Sequence, residues 1–168
     1  CVQGPREGFA ANFMSLLARP DLRGDFFAFC DQDDIWLPDR LALTLQAIQS
    51  LQPHQPALSC GRTEYMDESG RRLGESRAAP DDCSFEIALA QNFCGGNTML
   101  INRAARSLLV KFPRNLVSAH DWLAFLVVAG AGGTVAFSNQ ILVRYRQHGS
   151  NSLGENRSFK ARIVRLRE

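Results

Sequence analysis

The chain has 168 residues and 18.6 kDa, 45% hydrophobic and 21% charged, with 13 Gly and 7 Pro. That is the make-up of one ordinary globular domain, long enough to bury a core without staples. A formal net charge of +2 gives no case for a nucleic-acid partner. Five cysteines at positions 1, 30, 60, 83 and 94, with no C-x-x-C pair, argue against a disulfide framework or a structural zinc site and for a reducing, cytoplasmic compartment.

Phe9, Phe13, Leu16 and Leu17 recur at helical spacing, and Arg19-Pro20 closes that helix. The unbroken apolar run 26–30 has the length of a strand covered on both faces, as in a parallel sheet. It stops at Asp31-Gln32-Asp33-Asp34, after which Pro38 and Asp39 open a helix with Leu41, Leu45, Ile48 and Leu51 on one face. Helix, buried strand, acidic loop and helix form an α/β signature. Short strands follow at 56–60 and 62–67, then a turn at 67–70, and 71–82 reads as a polar, mobile stretch. A short helix is expected at 84–92, a strand at 98–101 and a helix at 104–112 before Pro113. A very apolar helix at 119–131 carries His120 and Asp121 in its first turn, and two strands follow at 135–137 and 141–145. The longest apolar stretch, 122–137, is broken by glycines and falls short of the ~20 residues a spanning helix needs. No signal peptide is visible. The last residues are basic and weakly amphipathic, with Phe159, Ile163, Val164 and Leu166 among Arg157, Lys160, Arg162, Arg165 and Arg167. Such a tail can be a solvated helix or can lie on an anionic membrane surface.

Three aspartates within 31–34 sit where a buried strand meets a loop, which is where open α/β sheets bind ligands. Carboxylates that close repel unless a cation sits between them. Mg2+ or Mn2+ does this with one or two carboxylates plus phosphate oxygens of a substrate. The plain alternative is a solvated acidic turn capping the next helix. Asp121 at the start of an apolar helix suits a general base in a partly dry place, or simply a helix cap. Arg146 and His148 leave a strand side by side, suited to phosphate oxygens or, through His148, to a metal, and equally to a strand end at the surface. Gly95-Gly96-Asn97 permits close approach of a ligand or turns a corner.

Four segments taken together carry a resemblance. They are Phe29-Cys30-Asp31-Gln32-Asp33-Asp34-Ile35-Trp36-Leu37-Pro38-Asp39-Arg40, Gly95-Gly96-Asn97-Thr98-Met99-Leu100, His120-Asp121-Trp122 and Tyr145-Arg146-Gln147-His148-Gly149-Ser150-Asn151. In order and spacing the chain resembles family 2 glycosyltransferases of the GT-A fold, most of all the bacterial rhamnosyltransferase-like members that build cell-surface polysaccharide. The resemblance implies an α/β fold with a Rossmann-like mixed sheet flanked by helices, residues 1–154 forming the C-terminal part of a GT-A domain and 155–168 a basic helical tail.

It also implies an inverting transfer of a sugar, rhamnose among the candidates, from a nucleoside diphosphate donor to a saccharide or lipid-linked acceptor hydroxyl. By this resemblance Asp31 and Asp33 are the D-x-D element, with Asp31 near the donor's ribose or sugar and Asp33 on an Mg2+ or Mn2+ ion. Arg146 and His148 belong to the closing segment near the diphosphate, with His148 a second candidate metal ligand. Asp121 matches the general base. Trp36, Gly95, Gly96 and Asn97 match the acceptor side. Apart from the resemblance, the basic tail, if it lies on a membrane and is not a solvated helix, would touch the inner face of the plasma membrane. The family's opening strand of the type V-x-V-I-I-P-T-Y-N and its second, aspartate-bearing strand have no counterpart here, so the chain is expected to be truncated at its N-terminus. A non-catalytic fragment that binds a partner, or a metal-dependent phosphate-ester hydrolase, are the competing readings.

Overall fold

A computed structural model describes residues 2–78, 82–113 and 117–148. The expected basic tail, and Gly149-Ser150-Asn151 of the last motif, lie outside the described residues. The elements are α1 (Phe9–Leu17), β1 (Phe26–Ala28), β2 (Ile35–Trp36), α2 (Arg40–Ile48), β3 (Ala57–Met66), β4 (Arg72–Glu75), α3 (Phe85–Ala90), β5 (Leu100–Asn102), α4 (Arg103–Leu109), α5 (His120–Gly130) and β6 (Thr134–Arg146). A 3-10 turn at Gly96–Thr98 precedes β5. The fold is mixed α/β, as expected. Among the described residues no helix is long and apolar enough to cross a membrane.

The described strands form one mixed sheet in the order β1-β5-β3-β6-β2, with β4 paired to β3 beyond the end of β5. Only β3 and β6 run parallel among the described pairs. The apolar run 26–30 behaves as expected in one respect and differently in another. Phe27 and Phe29 face a core shared with α1, α4 and α5, while Phe26 and Ala28 face a smaller core with Ile48 of α2. Burial on both faces therefore explains the unbroken run, but its ladder partner, β5, is antiparallel.

Other differences have local causes. Segments expected as separate short strands, 56–60 with 62–67 and 135–137 with 141–145, are continuous β3 and β6. Their parallel ladder absorbs the interruption through register shifts at Gly61/Arg62 and Arg62/Thr63. The polar stretch 71–82 holds β4 because charge pairs, not apolar contacts, join it to β3: Arg72 to Glu64 at 3.0 Å and Arg62 to Glu75 at 2.7 Å. The inward stripe of α2 is rotated from the expected one, with Arg40, Thr44 and Ile48 buried and Leu41 exposed. Thr44 tolerates that place because its hydroxyl donates to Arg40 O in the preceding turn. Helix α4 begins at Arg103 because Asn102 caps it, its Oδ1 accepting from Ala105 N at 2.9 Å.

Candidate active site

The acidic loop 31–34 leaves β1 and turns into β2, which pairs with β6 through Ile35↔Arg144 and Trp36↔Val143. That pairing brings the end of β6 across the loop, and Leu37 N donating to Leu142 O at 3.0 Å extends the clamp. His148 Nε2 consequently lies 2.8 Å from Asp33 Oδ2. Two residues far apart in the chain, each a candidate metal ligand, are thus in contact.

Asp34 ties the loop to its surroundings. Its Oδ2 accepts from Asn97 Nδ2 at 3.0 Å and its Oδ1 from Arg146 N at 3.3 Å. Burial raises its pKa to about 6 and the charges of Asp31 and Asp33 push the same way, while the two donors pull it down. Burial, then the charges of Asp33 and Asp121, also raise the carboxyl of Asp31. Asp31 is therefore within electrostatic reach of both the metal candidate and the base candidate. Like charges so placed favour a cation or a proton among them.

Asp121, in the first turn of α5, is held from two sides: its Oδ2 accepts from Gly96 N at 3.2 Å and its Oδ1 from Trp122 N at 2.8 Å. Gly96 is glycine for steric reasons, since a Cβ there would stand 2.7 Å from His120 Nε2 and 3.3 Å from Asp121 Cβ. His120 is buried, stacked on Phe13 at 4.4 Å between centroids and met edge-on by Phe9 and Phe29. Neither ring nitrogen has a partner among the described residues. Burial lowers its pKa, against the opposing charge of Asp121, so the ring is neutral at pH 7.

Arg146 is a strut as much as a ligand: its Nε donates to Asp33 O at 3.3 Å and its Nη1 to Glu68 O at 2.9 Å. Trp36 is half-buried, and the guanidinium carbon of Arg40 lies 3.6 Å from the centroid of its ring. Gly95 accepts from Thr98 at its carbonyl, and Asn97 O accepts from Arg40. Every candidate site residue is therefore at this end of the sheet or bonded to something that is.

Sequence reasoning missed Arg40 and His120. Arg40 follows a helix-opening Pro-Asp and looks like any solvated first-turn cation, so nothing in the local pattern marks it as buried. His120 had a visible signal, an imidazole at the start of an apolar helix, but its aromatic surroundings come from α1 and from Phe29 just after β1, more than 90 positions away.

Among the described residues no group of three or more His, Cys, Asp or Glu is arranged to hold a metal alone. Asp33 with His148 is a two-donor set. The Asp33 carboxylate suits a hard divalent ion that takes its remaining ligands from water and phosphate oxygens, while the His148 imidazole suits a transition-metal ion such as Mn2+ better than Mg2+.

No family model matches the chain. It is similar to a Shigella flexneri protein named dTDP-rhamnosyl transferase RfbG, with 25% identity over 166 residues, which is 95% of this chain and 56% of the relative. It is also similar to a Bacillus subtilis (strain 168) protein provisionally named as the teichuronic acid biosynthesis glycosyltransferase TuaG, with 27% identity over 135 residues, 80% of this chain and 51% of the relative. Both relatives are named glycosyltransferases, and the chain spans about half the length of each.

Proposed function

We propose that this chain carries the metal and base side of a glycosyltransferase site, which moves a sugar from a nucleoside diphosphate donor to an acceptor hydroxyl in polysaccharide synthesis. The observation that carries this reading is that the Gly95–Asn97 turn bonds the acidic loop through Asn97 and Asp34 and bonds Asp121 through Gly96, with His148 seated on Asp33. The names of the two relatives support the same class, and the first of them makes dTDP-rhamnose the donor to try first.

Asp33 and His148 would hold Mg2+ or Mn2+. When bound, the ion supplies Lewis-acid stabilisation of the charge that builds on the departing diphosphate. Asp31, beside them, lies where it can accept hydrogen bonds from donor hydroxyls. Asp121 takes the proton of the acceptor hydroxyl. As that proton leaves, the acceptor oxygen forms its bond to the anomeric carbon and the bond from that carbon to the diphosphate oxygen breaks. Attack from the face opposite the leaving group inverts the anomeric centre. The two N–H groups on Asp121 hold the carboxylate in place for this step. Trp36 and the Gly95–Asn97 turn form the acceptor side. Arg146 holds the acidic loop to the tip of the β3–β4 hairpin and keeps the end of β6 over Asp33.

The test is release of nucleoside diphosphate from dTDP- and UDP-sugars, measured with and without saccharide acceptors, for the wild type and Asp121→Asn. Acceptor-dependent release that falls by about 100-fold or more in Asp121→Asn supports the assignment. Release of free sugar or phosphate without any acceptor would favour a hydrolase, and normal turnover by Asp121→Asn would remove Asp121 from the mechanism.

A further inference from the structure

Arg40 has no exposed surface, although it stands at the first residue of α2. Its Nη2 donates to the carbonyls of Asn97 at 2.7 Å, Phe29 at 3.2 Å and Met99 at 3.4 Å, and its Nε donates to Asn97 O at 3.2 Å. The face of the same guanidinium covers the ring of Trp36 at 3.6 Å. One planar group therefore touches the end of β1 just before the acidic loop, the Gly-Gly-Asn turn, the start of β5, and the aromatic ring just after the acidic loop.

The charge of Arg40 is not neutralised by a neighbouring carboxylate among the described residues, and its Nη1 has no acceptor there. Burial draws its pKa down to about 10, the sign of a desolvated charge, though it stays protonated at neutral pH. An apolar side chain of similar volume would avoid that penalty but would leave the carbonyls of Asn97, Phe29 and Met99 without this donor, so the place calls for a donor and not for a charge. What only a guanidinium supplies is a rigid fork that fixes several oxygens in one plane while stacking on an aromatic face.

We propose that Arg40 is a positioning residue that sets the spacing between the acidic loop and the Gly95–Asn97 turn. In the proposed function, on which the meaning of that spacing rests, the loop is the donor and metal side and the turn is the acceptor and base side. Gly96 N also donates to Asp121, so the turn that Arg40 grips is the turn that orients the base. Lysine keeps the charge but presents one ammonium in place of a fork, so it can hold one carbonyl cluster and leaves the ring of Trp36 uncovered.

The experiment is hydrogen exchange on the full chain for the wild type, Arg40→Lys and Arg40→Met. On one side of Arg40 the reporters are the amides of Thr98 and Met99, bonded to Gly95 O and Gly96 O, and on the other the amide of Leu37, bonded to Leu142 O. The expected result is exchange faster by about tenfold or more at both sets in Arg40→Lys, with the sheet amides of β3 and the helical amides of α5 unchanged. Unchanged exchange at either set would overturn the proposal. So would acceleration spread evenly through the sheet and α5 in Arg40→Lys, which marks a merely structural residue. Should Arg40→Met not fold, Arg40→Lys decides. Titration of UDP with Mn2+ into the same proteins separates this inference from the proposed function. A wild type that does not bind removes the functional reading while the exchange result still judges Arg40. A wild type that binds, with Arg40→Lys weaker by about tenfold at a near-wild-type melting temperature, supports both.

Discussion

Gly96 shows how tightly the base is built in. The side chain it lacks would collide with the ring of His120, and that ring cannot retreat because Phe9, Phe13 and Phe29 surround it. Gly96→Ala is therefore expected to destabilise the fold by about 1–3 kcal/mol and to lower the melting temperature by ~2–4 °C for each of those kcal/mol. A calorimetric scan checks this, and an unchanged melting temperature would mean that the ring has room to move. His120 itself makes stability depend on pH in a definite direction. Burial puts its pKa in the fold below the usual 6.5. Below pH 6.5 the unfolded chain takes up a proton that the fold refuses, so stability falls as the solution is acidified until the folded ring also titrates. His120→Phe removes the titrating group and should flatten the loss of stability on acidification below pH 6.5, as measured by urea denaturation at several pH values. A slope identical to that of the wild type would contradict the neutral, buried assignment.

At the scale of elements, the irregular ladder between β3 and β6 is what delivers the end of β6 to the acidic loop. Gly61 pairs with Ser138, Arg62 with Ile141 and Thr63 with Val143, so β6 slips ahead of β3 twice in three positions. Leu142 uses the space above Gly61: a Cβ on Gly61 would meet Leu142 Cδ1 at 2.5 Å and Gln140 O, a backbone atom, at 3.1 Å. Gly61 N also donates to Thr98 Oγ1 in the turn that holds Asn97. Gly61→Val should therefore cost more than an ordinary strand substitution, about 2 kcal/mol or more, because it clashes with backbone as well as with a fully buried leucine. Urea denaturation of Gly61→Val measures it, and a loss below about 0.5 kcal/mol, the range of a surface change, would show that the bulge is not needed. Little of this was legible in the sequence. Periodicity located the apolar runs of β1, β3, β5 and β6 within a few residues, since burial depends on side-chain type. It split β3 and β6 because Gly61 and the polar residues at 138–140 look like breaks when no partner strand is visible. It passed over β4 because an edge strand held by Arg62, Arg72, Glu64 and Glu75 has no apolar alternation to detect.

For the whole molecule, the candidate site residues are marked by residue type alone, without knowledge of the elements that carry them. Asp31, Asp33, Asp121, Arg146 and His148 were picked out for chemistry, and the fold brings the acidic loop, the Gly-Gly-Asn turn, the first turn of α5 and the end of β6 to one end of the sheet. The contacts that support them were not legible. Arg40, Asp34 and Gly96 act across 57, 63 and 25 positions of sequence, and such contacts leave no local pattern. In the proposed function this end of the sheet binds a divalent ion together with a nucleoside diphosphate. Isothermal titration of UDP, and separately of dTDP, into the chain with and without Mn2+, for the wild type beside Asp33→Ala, tests it most directly. The account predicts binding by the folded wild type that requires Mn2+ and weakens by about tenfold or more in Asp33→Ala. Binding that is indifferent to the metal or to Asp33, or no binding at all by the folded wild type, would contradict it.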